Sequence, residues 1–220
     1  MWWKNSQSEV DSLQNMVERQ IKTRGVKNEA VLNAMLKVDR RLFVSESQLA
    51  FAYYDEPQPI GEGQTISQPY IVALMTELLD PHPTDRVLEV GTGSGYQAAI
   101  LAEIVRHVYT LEIIPALEKR AERLLLDELG YKNITVRLGN GYEGWQEEAP
   151  FDKIIVTAAP EQVPDALVEQ VAIGGRLVLP VGTYYQVLCV IKKDKTGVYR
   201  EESIPVRFVP MTGEKSSGDI

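Results

Sequence analysis

Arg86-Val87-Leu88-Glu89-Val90-Gly91-Thr92-Gly93-Ser94-Gly95-Tyr96-Gln97-Ala98-Ala99-Ile100-Leu101-Ala102 is the stretch that decides the fold. Its first five residues are a short apolar run with β-branched Val87 and Val90, which predicts a buried strand. Gly91 to Gly95 is a tight glycine turn, and Tyr96 to Glu103 has the composition of a helix. Strand, glycine turn and helix in that order form the ligand end of a nucleotide-binding βα unit. The glycines let the backbone approach a ligand, and the helix start offers free N–H groups. The dinucleotide fingerprint needs a further glycine three residues after the second. Tyr96 stands there, which counts against a pyrophosphate site. The pattern is instead acid-x-G-x-G-x-G, with Glu89 two residues before Gly91. A strand-to-helix turn without a ligand is the plain alternative for such glycines taken alone.

This pattern resembles the first motif of class I methyltransferases, which bind S-adenosylmethionine. The next predicted strand, His107 to Leu111, ends in Glu112, 112 − 91 = 21 residues after the first motif glycine. An α/β nucleotide binder places there the acid that accepts hydrogen bonds from ribose hydroxyls. The alternative is an acid at a helix start, because Pro115 opens the next helix and carboxylates suit N-termini.

Composition sets the outer bounds. With 220 residues, 44% apolar and 25% charged, the chain is an ordinary globular protein with one large domain or a domain plus a lobe. Its net charge of −8 argues against a general nucleic-acid binder. Cys189, the single cysteine, lies in an apolar run and reads as a buried small hydrophobe. No apolar run is long enough to span a membrane and the N-terminus lacks a leader pattern, so the expectation is a cytoplasmic protein.

Working outward, the chain divides into a helical and loop lobe over residues 1–80, a ligand-binding core over 81–212 and a polar tail over 213–220. In the lobe, Val10, Leu13, Val17 and Ile21 share one face of a helix predicted over Val10–Thr23, stopped by Gly25. Asn28 caps a second helix with Val31, Leu32 and Met35 inward. Arg40 and Arg41 read as solvated or helix-pairing cations. Residues 52–69 carry prolines and glycines without a helical period, which predicts an ordered loop or irregular hairpin of functional weight. Ser67 reads as the N-cap of a helix over Tyr70–Leu79 with Ile71, Leu74 and Leu78 inward, a role compatible with a ligand-facing hydroxyl.

Beyond Glu112 come a helix to Leu129 and strands over Ile134–Leu138, Phe151–Val156 and Arg176–Leu179. A short helix covers Pro164–Val171, and a C-terminal hairpin turns around residues 193–197. Asn140 sits between Gly139 and Gly141, where it could reach an adenine edge or simply make a turn. Small residues at Thr157-Ala158-Ala159 would keep a crevice open beyond the strand ends. The resulting order is α/β: a Rossmann-like, mostly parallel twisted sheet with helices on both faces and an antiparallel C-terminal edge hairpin.

The chain also resembles, from about Val10 to Thr212, the protein-L-isoaspartate (D-aspartate) O-methyltransferases. The most specific residues are Pro59-Ile60-Gly61 and Gln64-Thr65-Ile66-Ser67-Gln68-Pro69. Asp39-Arg40-Arg41 with Phe43, the run Gly174 to Gly182, and Arg207 to Thr212 extend the match. The resemblance implies transfer of a methyl group from S-adenosyl-L-methionine to the free α-carboxylate of L-isoaspartyl residues in damaged proteins and peptides. S-adenosyl-L-homocysteine leaves, and repair proceeds through a succinimide, with no metal. It implies Ser67 as the catalytic residue and Gly91, Thr92, Gly93, Glu112, Ile113, Asn140 and Gly141 as cofactor contacts. Ile60, Gly61, Thr65, Ser67 and Thr212 would meet substrate. Asn140 departs from the aspartate usual there, and its amide carries both donor and acceptor. A carboxylate acceptor is ionised near neutral pH, so no general base is needed. His82 and His107 have no motif context. The expected partners are isoaspartyl proteins and peptides rather than nucleic acid or membrane, bound by a monomer. Two other readings share the glycine turn: a class I methyltransferase acting on a small molecule or RNA, and a nucleotide-binding module without transferase activity.

Overall fold

A computed structural model describes residues 12–214. A seven-stranded sheet runs in the order β5-β4-β3-β6-β7-β8-β9. Its strands are β3 (Arg86–Val90), β4 (His107–Glu112), β5 (Ile134–Leu138), β6 (Phe151–Val156), β7 (Val171–Val181), β8 (Gln186–Asp194) and β9 (Gly197–Val206). The first five are parallel, and β8 and β9 return antiparallel as a meander. The Rossmann-like sheet with an antiparallel edge is therefore the observed architecture. β7 begins earlier than expected: Gly174 and Gly175 lie inside it, in an irregularity that sets Val171 and Arg176 opposite Phe151 and Lys153.

Two hydrophobic clusters line the faces of the sheet. One holds Leu88, Phe151, Ile154, Leu177 and Cys189. The other joins Val87, Val108 and Ile155 to the lobe through Met16, Ile21, Val31 and Met35. The lobe is thus packed into the core of the sheet. Helix α1 (Glu29–Lys37) is capped by Asn28, whose Oδ1 accepts from Ala30 N and Val31 N. The preceding helical segment starts at Leu13, widens into π-helical turns over Met16–Ile21, tightens over Lys22–Arg24 and ends at left-handed Gly25. Val10, expected on its inner face, lies outside the described residues.

Two local expectations are corrected. Helix α2 (Pro69–Leu79) buries Val72, Ala73, Met75, Thr76 and Leu79, whereas Ile71, Leu74 and Leu78 are only half-buried. A helix apolar nearly all round gives periodicity little to choose between. Arg40 is also not solvated. It is 0% exposed, donates from Nε to Ala52 O at 2.9 Å and lies 5.1 Å from the Tyr96 ring centroid. Burial pulls its guanidinium down to about 10. Arg41 is exposed and pairs with Asp39.

Helices α3 (Tyr96–Ala102) and α4 (Pro115–Glu122) follow β3 and β4, and α5 (Asp165–Gln170) precedes β7. Every residue of α3 is buried. Residues 58–66 form a separate hairpin of β1 (Gln58–Gly61) and β2 (Gln64–Ile66), the irregular hairpin expected there.

Candidate active site

β3 has β4 on one side and β6 on the other, so the chain order reverses between β3 and β6. Open α/β sheets leave a crevice at that point beyond the strand ends. The glycine turn forms its floor. Gly91 N and Thr92 N donate to Leu111 O at 2.8 and 3.1 Å. From the other side Thr157 N donates to Val90 O at 2.9 Å, and Thr157 Oγ1 donates to Gly91 O at 2.6 Å. A side chain at Gly91 would overlap Thr157 Oγ1, and its φ of +98° is one that other residues rarely adopt. Thr157 is read from sequence only as a small residue; its role as a clasp on the turn depends on β6 lying beside β3.

Glu112 ends β4 at the cavity wall. Its Oε2 accepts from Gly93 N at 2.8 Å, and its Oε1 accepts from Ile113 N at 2.9 Å and Ile114 N at 3.0 Å. Three backbone donors hold this buried carboxylate, and one lone pair on Oε2 remains for a ligand hydroxyl. Gly91, Gly93, Glu112, Ile113 and Gly141 line one cavity together with Thr65 and Thr212. Met211 closes it; a Cβ on Gly141 would overlap Val90 Cγ1 and come 2.8 Å from Met211 Cε. Asn140 is placed differently. Its Oδ1 accepts from Tyr142 N at 3.1 Å, and its Nδ2 donates to Glu143 Oε1 at 3.1 Å and Glu214 O at 2.8 Å. The side chain braces the turn that carries Gly141 and is not part of the cavity lining.

An inner cavity lies between the glycine turn and α2, lined by Ser67, Ile66, Thr92, Gln97 and Glu89. Thr92 Oγ1 pairs with Thr110 Oγ1 at 2.6 Å, and Thr110 Oγ1 lies 2.5 Å from Glu89 Oε2. Glu89 Oε1 has no hydrogen-bond partner among the described residues. Burial pushes the Glu89 carboxyl up to about 8, and the neighbouring charge of Glu112 adds to the rise.

A groove of about 780 Å³ opens outward from Ser67. Thr65, Ser67, Tyr70 and Ile71 form its lobe side, and Thr157, Ile204, Val206 and Phe208 its sheet side. Ser67 therefore lines both the inner cavity and the groove. The expected N-cap role of Ser67 is not observed. Gln68 is the N-cap and provides no side-chain bond. Asp55 caps α2 instead: its Oδ1 accepts from Tyr70 N at 3.0 Å, and its Oδ2 accepts from Gln68 Nε2 at 3.2 Å and pairs with Arg24. Asp55 lies 15 residues before Tyr70, and no local pattern marks it as a cap. Ile60 and Gly61 stand apart from the cavity lining. Ile60 Cδ1 lies 3.5 Å from where a Cβ on Gly93 would sit, so the hairpin rests on the glycine turn.

No group of three or more His, Cys, Asp or Glu among the described residues could hold a metal ion. Among them no helix is long and apolar enough to cross a membrane.

A parallel sheet with a glycine turn at its reversal point and an acid ending the neighbouring strand defines the class I methyltransferase architecture. Within that class, residues 11–216 match the family model described as Protein-L-isoaspartate(D-aspartate) O-methyltransferase (PCMT). The chain belongs to this family. It is 54% identical over 202 residues to a protein-L-isoaspartate O-methyltransferase of Gloeobacter violaceus, covering 91% of this chain and 98% of that one. It is 55% identical over 205 residues to the Geobacter metallireducens enzyme of the same name, covering 92% and 94%. A solved protein-L-isoaspartate O-methyltransferase superposes with TM-score 0.83 at 28% identity, over 92% of this chain and 66% of the other. A Plasmodium falciparum structure, described as a putative enzyme of this kind in complex with S-adenosyl-L-homocysteine, gives TM-score 0.78 at 30% identity, covering 90% and 97%.

Proposed function

We infer that the chain transfers a methyl group from S-adenosylmethionine to the free α-carboxylate of L-isoaspartyl residues in damaged proteins and peptides, the first step of repair through a succinimide. Membership of the family supports the reaction. The observation that carries the site assignment is the position of Ser67, which lines both the small cavity under the glycine turn and the larger groove beside it.

The residues present fit the cofactor. Gly91 and Gly141 let Thr157, Val90 and Met211 pack close around the cavity, which a side chain at either position would disturb, and Glu112 offers its remaining lone pair on Oε2 to a ribose hydroxyl. Ile113 borders the same wall, Thr92 fixes the turn from below, and Asn140 acts by holding Gly141 in place. Bound there, S-adenosylmethionine supplies a methyl group made electrophilic by its sulfonium.

The chain's own contribution is orientation. The groove holds an extended peptide; Thr65 lines both the groove and the cofactor cavity, Thr212 borders that cavity, and Ile60 and Gly61 lie on the hairpin strand paired with the one that carries Thr65. The Ser67 hydroxyl donates a hydrogen bond to the acceptor carboxylate and directs one of its oxygens toward the cavity. That carboxylate is ionised at neutral pH, since α-carboxyl values lie near ~3.5, so no base has to remove a proton. His82 and His107 line neither the cavities nor the groove, and His107 Nε2 is bound to Thr135 Oγ1 at 2.8 Å. Holding reactants in line can supply a large share of the barrier reduction by itself, and a closed hairpin would exclude water. The reading includes a monomer working in the cytoplasm, which gel filtration and cell fractionation check.

The decisive experiment uses methyl-labelled S-adenosylmethionine and two peptides that differ only in an L-isoaspartyl or L-aspartyl linkage. Base-labile label on the isoaspartyl peptide alone is expected. Label on neither peptide, with cofactor binding intact, would direct the reading to other acceptors.

A further inference from the structure

The hairpin that separates cofactor from substrate is tied down from outside both sites. Arg120, on the exposed face of α4, donates from Nη1 to the carbonyl oxygen of Ile60 at 2.7 Å. The same nitrogen lies 3.9 Å from where a Cβ on Gly61 would sit. Among the described residues this is the hydrogen bond that joins β1–β2 to a helix of the sheet; the other side-chain bonds of the hairpin go to Phe51 and Glu62, within the lobe. Ile60 is thereby gripped twice. Its backbone is held by α4, and its buried side chain rests against Gly93 of the glycine turn. The grip passes along the hairpin ladder, where Pro59 pairs with Thr65 and Gly61 with Gln64. Gln64 and Thr65 face Glu112 and Ile113 across the cavity, and Ser67 follows one residue after β2.

We propose that Arg120 is a positioning residue that latches the β1–β2 hairpin over the bound cofactor, and that the same bond sets the lobe wall of the peptide groove. Cofactor release then requires the latch to open. Substrate binding requires it shut, because Thr65 and Ser67 belong to the segment it holds. Arginine suits a latch because its guanidinium is always charged, and a charge-assisted bond to a carbonyl is stronger than a neutral one. The inference rests on the cofactor seating given above.

The test compares the full chain with R120A and R120K. Hydrogen exchange of residues 58–66 is measured without ligand, dissociation of S-adenosylhomocysteine by stopped flow, and KM and kcat on an isoaspartyl peptide. In R120A the hairpin amides are expected to exchange faster while β3 and β4 keep their protection. S-adenosylhomocysteine should leave about tenfold faster, the size of effect expected for one charge-assisted hydrogen bond. Peptide KM should rise by a similar factor with kcat within about twofold, and R120K should recover most of each change. Unchanged hairpin exchange in R120A would overturn the latch. Faster hairpin exchange with unchanged dissociation would overturn the proposal that the latch governs cofactor release, while loss of S-adenosylhomocysteine binding by the unaltered protein would overturn the cofactor seating. If R120A loses protection throughout the sheet, R120M, which keeps the apolar stem but has no donor, replaces it: with wild-type sheet protection it must show faster hairpin exchange and faster dissociation, and wild-type rates in both would overturn the proposal.

Discussion

On the sheet side of the site, Gly91, Glu112 and Thr157 are each fixed by hydrogen bonds between neighbouring strand ends. On the lobe side, the segment from Ile60 to Tyr70 is fixed by distant residues: Arg120 from α4 holds Ile60, and Asp55 from the loop before β1 holds Gln68 and Tyr70. The first wall is made of backbone within a continuous ladder and has little freedom. The second is attached by single side-chain hydrogen bonds and by the packing of Ile60 and Ile66. A rigid wall suits a cofactor that must be held in one pose, and a separately tethered wall suits peptides of varied sequence. Openings with few tethers are also where local free energies of opening are lowest.

The sharpest challenge to this contrast is G91A. Its Cβ has no room beside Thr157 and its φ is unfavourable. We expect loss of S-adenosylhomocysteine binding by more than about a hundredfold in titration calorimetry, since backbone strain and a displaced turn act together; binding within a few fold would show that the sheet wall yields. Next is S67A, which acts on the lobe wall alone. Turnover should fall about tenfold to a hundredfold, the range for a hydrogen bond to a charged group, with cofactor affinity little changed. Equal losses in both would merge the two walls into one.

Glu89 tests how closed the sheet side is. Between pH 4.5 and about 8 the folded carboxyl keeps a proton that the unfolded one has lost. Stability therefore falls as pH rises through that window, by at most about 1.4 kcal/mol per pH unit from this group. E89Q should flatten the pH dependence of the melting temperature relative to wild type; identical slopes would place the Glu89 carboxylate in contact with water. The smallest expected effect is D55A, which removes the cap of α2. A lost cap costs about 1–2 kcal/mol, or about 3–6 °C in melting temperature for a chain of this size. Its peptide KM should rise while S-adenosylhomocysteine affinity stays constant, and the reverse pattern would remove Asp55 from the lobe wall.

The strand–turn–helix over 86–102 was legible because its signals are local: β-branched residues that suit a buried strand, glycines where φ is positive, and an acid at a fixed offset. Glu112 was legible for the same reason, since one βα unit sets its distance from Gly91. The face of α2 was not, because an apolar helix buried on several sides carries no contrast. Arg40 misled, because charge predicts solvent unless a carbonyl such as that of Ala52 is waiting inside. Ser67 was recognised by its surrounding motif, but its freedom from capping followed only from Asp55.

By itself, then, the sequence determined the parallel sheet, its antiparallel edge, the glycine turn and the acid that ends the neighbouring strand, and it pointed to the proposed acceptor segment. The sheet and the glycine turn follow from periodicity, glycine geometry and short-range spacing, which are properties of neighbouring residues, whereas the expected acceptor segment came from its resemblance to a family motif. Tertiary structure alone decided that Thr157 clasps Gly91, that Asp55 frees Ser67, that Asn140 braces a turn against Glu214, and that Arg120 reaches Ile60. Those contacts join residues 15 to 74 positions apart, and only the packing of lobe against sheet brings them within hydrogen-bonding distance.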